Sequence, residues 1–138
     1  MALDVFLQEN PAPPIHGAHY EEILYFDDDN EAYYWFLYPL FLQLRKRTGK
    51  MIDLYDTAVF RGDGLQPLAD TIASARQLTK NQPDDWEVVI GFEVGPARLR
   101  REIQKPVTKA EMLSLLDKLQ AAVAKATEKN YYLALWGD

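Results

Sequence analysis

The chain has 138 residues, enough for one domain with its own core; 48% are apolar and 26% charged, an ordinary soluble composition. It contains no cysteine, which excludes disulfides, thiolate chemistry and cysteine metal sites. The net charge of −6 is unevenly spread: residues 1–31 hold eight acids and no Lys or Arg, so this part stands at −8 and the remainder at +2, which makes nucleic acid an unfavourable partner for the N-terminal part.

Leu3 to Leu7 is a short apolar segment that suits a strand. Pro11, Pro13 and Pro14 then forbid regular pairing, because proline fixes φ and lacks an N–H, and residues 9–18 read as an extended loop. Tyr20 to Phe26 is a second strand or an irregular lead-in. The acidic run from Asp27 to Glu31 belongs at a helix start, where free N–H groups and the macrodipole favour negative charge. That helix is expected from about Asn30 to Thr48, with Arg45, Lys46 and Arg47 at its far end and Gly49 just past it. Tyr33 to Tyr38 make its first half apolar on every side, the pattern of a segment buried against more than one neighbour, and Pro39 should kink or divide it.

Met51 to Phe60 suits a strand and turn, and Asp63 a cap for a second helix with Leu65, Leu68, Ile72, Ala75 and Leu78 at helical spacing. Pro83 breaks the connection that follows. Trp86, Val88, Ile90, Phe92 and Val94 then alternate with Glu87, Val89, Gly91 and Glu93, the signature of a strand with one face on a core. This stretch is expected to be the centre of the sheet. Gly95-Pro96-Ala97 turns it into a return strand, Arg98 to Lys105, as an antiparallel hairpin. Thr108 and Glu111 form a capping box for a third helix running to about Lys129, with Met112, Leu115, Leu116, Leu119, Val123 and Ala126 as its buried stripe. Asn130 ends it, and Tyr131 to Trp136, apolar on both parities, reads as an interior strand. The strand–helix–strand order after residue 98 suggests a right-handed crossover. The whole chain, residues 1–138, is expected to be one α+β domain with a mixed, mainly antiparallel sheet and about three helices.

The first thirty residues lack the basic start of a secretory signal, and the longest apolar run, residues 32–42, is shorter than the ~20 residues a membrane span needs. A cytoplasmic protein without a membrane partner is expected. The acidic excess suits a basic protein partner through complementary potentials, and equally a solvated surface that maintains solubility. The candidate partner-binding residues are Glu21, Glu22, Asp27, Asp28, Asp29 and Glu31.

The chemical motifs are sparse. His16 and His19, with Glu21 and Glu22 near, have the residue types of a metal site but no helical pattern to fix their spacing. A calcium loop counted from Asp27 needs glycine sixth and glutamate twelfth, where Ala32 and Tyr38 stand. No glycine-rich phosphate loop or nucleophile elbow occurs. No metal, cofactor or catalytic residue is therefore expected. Asp53 and Asp56 around Tyr55 suit turn hydrogen bonding or, with the aromatic run Tyr33 to Tyr38 as walls, a pocket for a small molecule or a small enzyme's site. Arg98, Arg100 and Arg101 form a small basic patch that also protects an edge strand.

The order Thr48-Gly49-Lys50-Met51-Ile52-Asp53-Leu54-Tyr55-Asp56, a leucine-spaced helix, Pro83-Asp84-Asp85-Trp86-Glu87-Val88-Val89-Ile90-Gly91, a lysine-rich helix and a terminal strand ending Gly137-Asp138 resembles small immunity proteins of bacterial polymorphic toxin and contact-dependent growth inhibition systems. The resemblance covers roughly residues 30–138. It implies a cytoplasmic, non-enzymatic protein that binds and blocks one cognate toxin domain, often a nuclease with a basic cleft. The family shares no catalytic residues that could be carried over.

Overall fold

The computed structural model describes residues 2–9 and 20–137. In chain order they form β1 (Leu3–Gln8), β2 (Tyr20–Phe26), α1 (Glu31–Thr48), β3 (Thr57–Phe60), α2 (Leu65–Lys80), β4 (Asp85–Val94), β5 (Arg100–Thr108), α3 (Lys109–Lys129) and β6 (Tyr132–Gly137). Four strands make one antiparallel sheet in the order β2-β1-β6-β3, and β4 and β5 make a separate antiparallel ribbon. The fold is the α+β class read from the sequence, with three α-helices among the described residues.

β6 is the interior strand of the larger sheet, between β1 and β3. Leu133, Ala134 and Leu135 are all buried, so both of its faces are covered at the centre, while Tyr132 and Trp136 are half-buried. Leu3, Val5 and Leu7 from β1, Ala58 and Phe60 from β3, and Leu133 and Leu135 share the face turned to the main core. Opposite them come Leu37, Phe41 and Leu44 from α1, Leu68, Ile72 and Ala75 from α2, and Met112, Leu116, Leu119 and Val123 from α3.

α1 explains the ribbon. On one side Tyr34 meets Phe26 of β2 edge-on, with ring centroids 6.0 Å apart; on another, Phe36 meets Trp86 of β4 at 5.0 Å. The helix is thus covered by both sheets, as its all-round apolar character requires. It runs as one element across Pro39, which does not divide it. Gly49 closes it in the left-handed conformation at φ 77°, donating its N–H to the Arg45 carbonyl at 2.7 Å.

Four expectations are corrected. Residues 86–94 are not the centre of the sheet: β4 pairs only with β5, and Val88 alone is buried. The loss of a single buried face along it has its physical reason in a bulge. The ladder runs Val88 to Lys105 and Val89 to Gln104, then resumes at Gly91 to Ile103, which leaves Ile90 as the extra residue. One extra residue reverses the faces of everything beyond it. Trp86 and Val88 therefore face α1, whereas Phe92 and Val94 turn outward, 55% and 72% exposed. Second, β5 and β6 lie in different sheets, so α3 is not a crossover within one sheet. Third, Asp63 does not cap α2; it sits in a short 3-10 turn, Gly62–Gly64, that leads into the helix without a side-chain cap. Fourth, only Thr57–Phe60 of the 51–60 stretch is strand, because Asp53 and Asp56 take turn geometry.

Gly137 holds the end of β6 against that turn. Its N–H donates to the Asp56 carbonyl at 2.8 Å, and a Cβ on it would lie 2.4 Å from the Asp53 carbonyl oxygen and 2.6 Å from the Asp56 amide nitrogen. All are backbone atoms, so no side chain can swing aside. Gly137→Ala is expected to lower stability by about 1–3 kcal/mol through overpacking. Leu133→Ala should cost about 2–5 kcal/mol, while Phe92→Ala on the ribbon's outer face should stay within about 0.5 kcal/mol of the parent. Urea denaturation midpoints check all three, and an equal loss for Leu133→Ala and Phe92→Ala would contradict the hierarchy of the two sheets.

Candidate partner-binding face

The acidic residues singled out in the sequence fall into two groups along β2. Glu21 and Glu22 lie near its start, and Asp27, Asp28, Asp29 and Glu31 form its connection to α1. The rise of an extended strand puts about 20 Å between Glu21 and Asp27. The groups are therefore the two ends of one face rather than a single cluster.

The β2–α1 connection is built by its own side chains. Asn30 Oδ1 accepts the Asp27 N–H at 2.6 Å, Asn30 Nδ2 donates to the Tyr25 carbonyl at 2.9 Å, and Asp27 Oδ1 accepts the Asp29 N–H at 2.9 Å. The side chain at the N-cap thus ties the turn together and bonds no N–H of the helix. Glu31 also serves the fold: Lys105 of β5 sits 3.5 Å from its carboxylate and donates to the Asp28 carbonyl at 2.8 Å. Glu21 pairs with Lys125 of α3 at 2.9 Å, and this bond raises the Lys125 pKa. Glu22, Asp28 and Asp29 are exposed and form no salt bridge among the described residues.

Between the two groups opens a cleft of about 480 Å³, bounded by β2 on one side and the first turns of α3 on the other. Ile23, Leu24 and Leu115 supply apolar lining; Glu22, Tyr25, Asn30, Glu111 and Lys118 supply polar groups. Tyr33 forms its inner wall. Its hydroxyl accepts the Thr108 N–H at 3.2 Å and donates to Glu111 Oε2. Thr108 Oγ1 in turn accepts the Glu111 N–H at 3.2 Å. The capping box seen in the sequence is thus present with a phenol inserted: the bond that the Glu111 carboxylate would make to the Thr108 N–H passes through Tyr33. Sequence reasoning identified Thr108 and Glu111 as a cap and Tyr33 as core, but nothing in it joins residues 78 positions apart.

The alternative pocket does not assemble as expected. Asp53 Oδ1 accepts the Tyr55 N–H at 3.0 Å and Asp56 Oδ1 accepts the Thr57 N–H at 2.7 Å, both turn bonds. Tyr34 is buried and donates to the Ile52 carbonyl at 2.9 Å. A cleft of about 470 Å³ beside Asp53 and Asp56 is walled by Arg45, Lys50 and Met51 and by none of the helix-one aromatics. On the ribbon, Arg101 pairs with Glu93 at 2.7 Å and Arg100 lies over the Phe92 ring at 4.6 Å. His16 and His19 lie outside the described residues; among the described residues no group of three or more His, Asp or Glu is placed to hold a metal. No described helix is long and apolar enough to cross a membrane.

No family model, curated protein or solved structure matches the chain.

Burial raises the pKa of Tyr33, with the Glu111 hydrogen bond adding to it, and burial with Asp53 second raises that of Tyr34. Both folded-state values therefore lie above the unfolded value of about 10. The unfolded chain gives up these protons first. The stability they contribute is complete below pH about 10 and is lost as pH rises through the folded values. The urea midpoint is expected to fall in that alkaline window. Tyr33→Phe should lower stability by about 1–3 kcal/mol at neutral pH, since it strips the Thr108 N–H and the Glu111 carboxylate of their partner. The alkaline fall should become shallower in the same variant. A Tyr33→Phe protein with parental midpoints across pH would show that the phenol bridge contributes nothing.

Proposed function

We propose that this chain is a non-catalytic binding protein that neutralises a cognate toxin domain, docking a basic surface of that domain against the face formed by β2, the β2–α1 connection and α3. The observation that carries the reading is the division of labour among the acids. Glu21, Asp27 and Glu31 have partners inside the fold, whereas Glu22, Asp28 and Asp29 stand exposed without a salt bridge among the described residues, on either side of a cleft. Tyr25, 52% exposed on the same strand, adds an aromatic side chain of the kind that anchors protein interfaces. The toxin-directed part of the proposal, with the cytoplasmic location, rests on the resemblance of residues 30–138 to small immunity proteins.

Unpaired surface charges chiefly set the rate of encounter and its salt dependence. The partner to test is the product of the neighbouring reading frame, captured first by pull-down. Asp28→Asn with Asp29→Asn is expected to slow association several-fold at low salt and to make its dependence on salt shallower, with dissociation little changed. Folding should be nearly untouched, as a helix-dipole contribution is about 0.3–1 kcal/mol. Surface-based association across a salt series reads the effect; identical rates at every salt concentration would remove this segment from the interface.

A further inference from the structure

We propose that β2 is a docking edge, to which an extended segment of a protein partner adds as a further strand in the cleft between β2 and α3. This deepens the functional reading above and rests on its assignment of this face to a basic partner. The ladders show which backbone groups are free. In an antiparallel sheet a residue points its N–H and C=O to one side, and its neighbour points them to the other. Gly137 donates its N–H to Asp56, on the β3 side of β6. By alternation Leu135 and Leu133 also bond towards β3, and Trp136 and Ala134 bond to their β1 partners Asp4 and Phe6. Leu3, Val5 and Leu7 are left to bond to β2. Tyr25 and Glu22, opposite Asp4 and Phe6, therefore turn their backbone groups away from the sheet. The bond from Asn30 Nδ2 to the Tyr25 carbonyl, made from outside the ladder, agrees. The Glu22 N–H and carbonyl and the Tyr25 N–H have no partner among the described residues.

The opposite edge of the sheet is closed. On β3 the Lys50 ammonium donates to the Val59 carbonyl, and Asp56 Oδ1 accepts the Thr57 N–H at 2.7 Å. Side chains of the fold thus block one edge, as edge strands require, and leave the other open. The cleft runs along the open one. Glu22, Ile23, Leu24 and Tyr25 all line it, although Glu22 and Tyr25 share the outer sheet face with Asp4 and Phe6, and Leu24 shares the helix-side face with Val5. What four consecutive residues have in common is the backbone edge. The facing wall is Glu111, Ser114, Leu115 and Lys118, one stripe of α3 at spacings of three, four and seven. Strand rise puts about 10 Å between Glu22 and Tyr25, and helix rise about 10 Å between Glu111 and Lys118. A groove between a free strand edge and a helix of equal length suits an extended chain whose backbone completes the ladder.

Charge and burial select the side chains of that segment. The residue beside Glu22 stands on the outer face, next to an exposed carboxylate that forms no salt bridge among the described residues. Opposite charge is favoured across strands, so this residue is basic. The next residue turns inward to Leu24 and Leu115, which favour an apolar side chain. A second copy of the chain is a poorer occupant, because β2 itself carries Glu21 and Glu22 and no base, and like charges across strands are destabilising.

The test is a nuclear magnetic resonance titration of the full chain with the blocked peptide acetyl-Lys-Val-Lys-Val-Lys-amide. In the free protein the Glu22 and Tyr25 amides should exchange with solvent faster than that of Leu24. The peptide should give saturable shifts at these two amides in the millimolar range and slow their exchange. Two further peptides carry N-methyl groups, one on its lysine nitrogens and one on its valine nitrogens. Because the N–H groups of a strand alternate between its edges, one methylated peptide should bind about tenfold more weakly and the other like the parent. The counterpart with glutamate for lysine should also bind about tenfold more weakly. A peptide held only by its charge would be indifferent to the methylated set, and that result would overturn the proposal. So would absent shifts at Glu22 and Tyr25, equal binding of the glutamate peptide, or free-state protection of both amides equal to that of Leu24. Shifts there that grow with protein concentration alone would give the edge to a second copy instead. The peptides need no toxin, and the Asp28 and Asp29 variants leave the β2 edge intact, so failure here and failure of toxin docking are separately visible.

Discussion

The covering of α1 organises the structure. An 18-residue helix whose first half carries tyrosine, tryptophan, phenylalanine and leucine around its whole circumference cannot stand on one sheet and leave its back in water. The four-stranded sheet and helices α2 and α3 take one part of that surface, and the β4–β5 ribbon takes another through Trp86, Val88 and Val107. The ribbon is best understood as a cover for α1. It explains why Val88 and Val107 are buried near the root of the ribbon, whereas Val94 and Leu99, at its far end, are 72% and 70% exposed.

The same packing fixes the acidic connection. Lys105 faces α1 because its ladder partner is Val88, which faces α1 too. From there its ammonium reaches the Glu31 carboxylate and the Asp28 carbonyl. The connection is thereby tied to the ribbon as well as to β2, through Asn30 and the Tyr25 carbonyl. Exposed ion pairs alone contribute little, but this one is joined to a backbone hydrogen bond and a half-buried glutamate. Its consequence is geometric: Asp28 and Asp29 are presented on a turn held from two sides.

Local signals in the sequence mapped closely onto the structure. Gly49 and Asn130 both end helices in the left-handed conformation, and Thr108 caps α3 through the Glu111 N–H. β6, apolar on both parities, is indeed the strand with neighbours on each side. What misled was an unbroken alternation. Trp86 to Val94 keeps perfect period two in sequence, yet the bulge at Ile90 gives its two halves opposite faces. A bulge is set by pairing with β5, and alternation within one strand carries no record of it. The cleft was illegible for a related reason. Ile23, Tyr33 and Glu111 belong to three elements, and each has a sufficient local explanation as strand, core or cap. The ribbon's turn at Gly95-Pro96-Ala97 was legible, but its backbone geometry was not: Ala97 and Arg98 both sit at positive φ, 62° and 60°, where Asn or Gly is the usual signal.

The link between cap and cleft bears on how such a face can act. In most helix caps the glutamate returns to the cap residue's own N–H, and the group is complete in itself. Here the phenol of Tyr33 stands between them, and Tyr33 is also a residue of α1. The start of α3 is thus referenced to α1, and a part-buried hydrogen bond holds the α3 wall of the cleft to its inner wall. A surface site gains affinity chiefly by having its first contacts held before the ligand comes. On this face the holding is done by core chemistry, and the exposed carboxylates remain available for a partner.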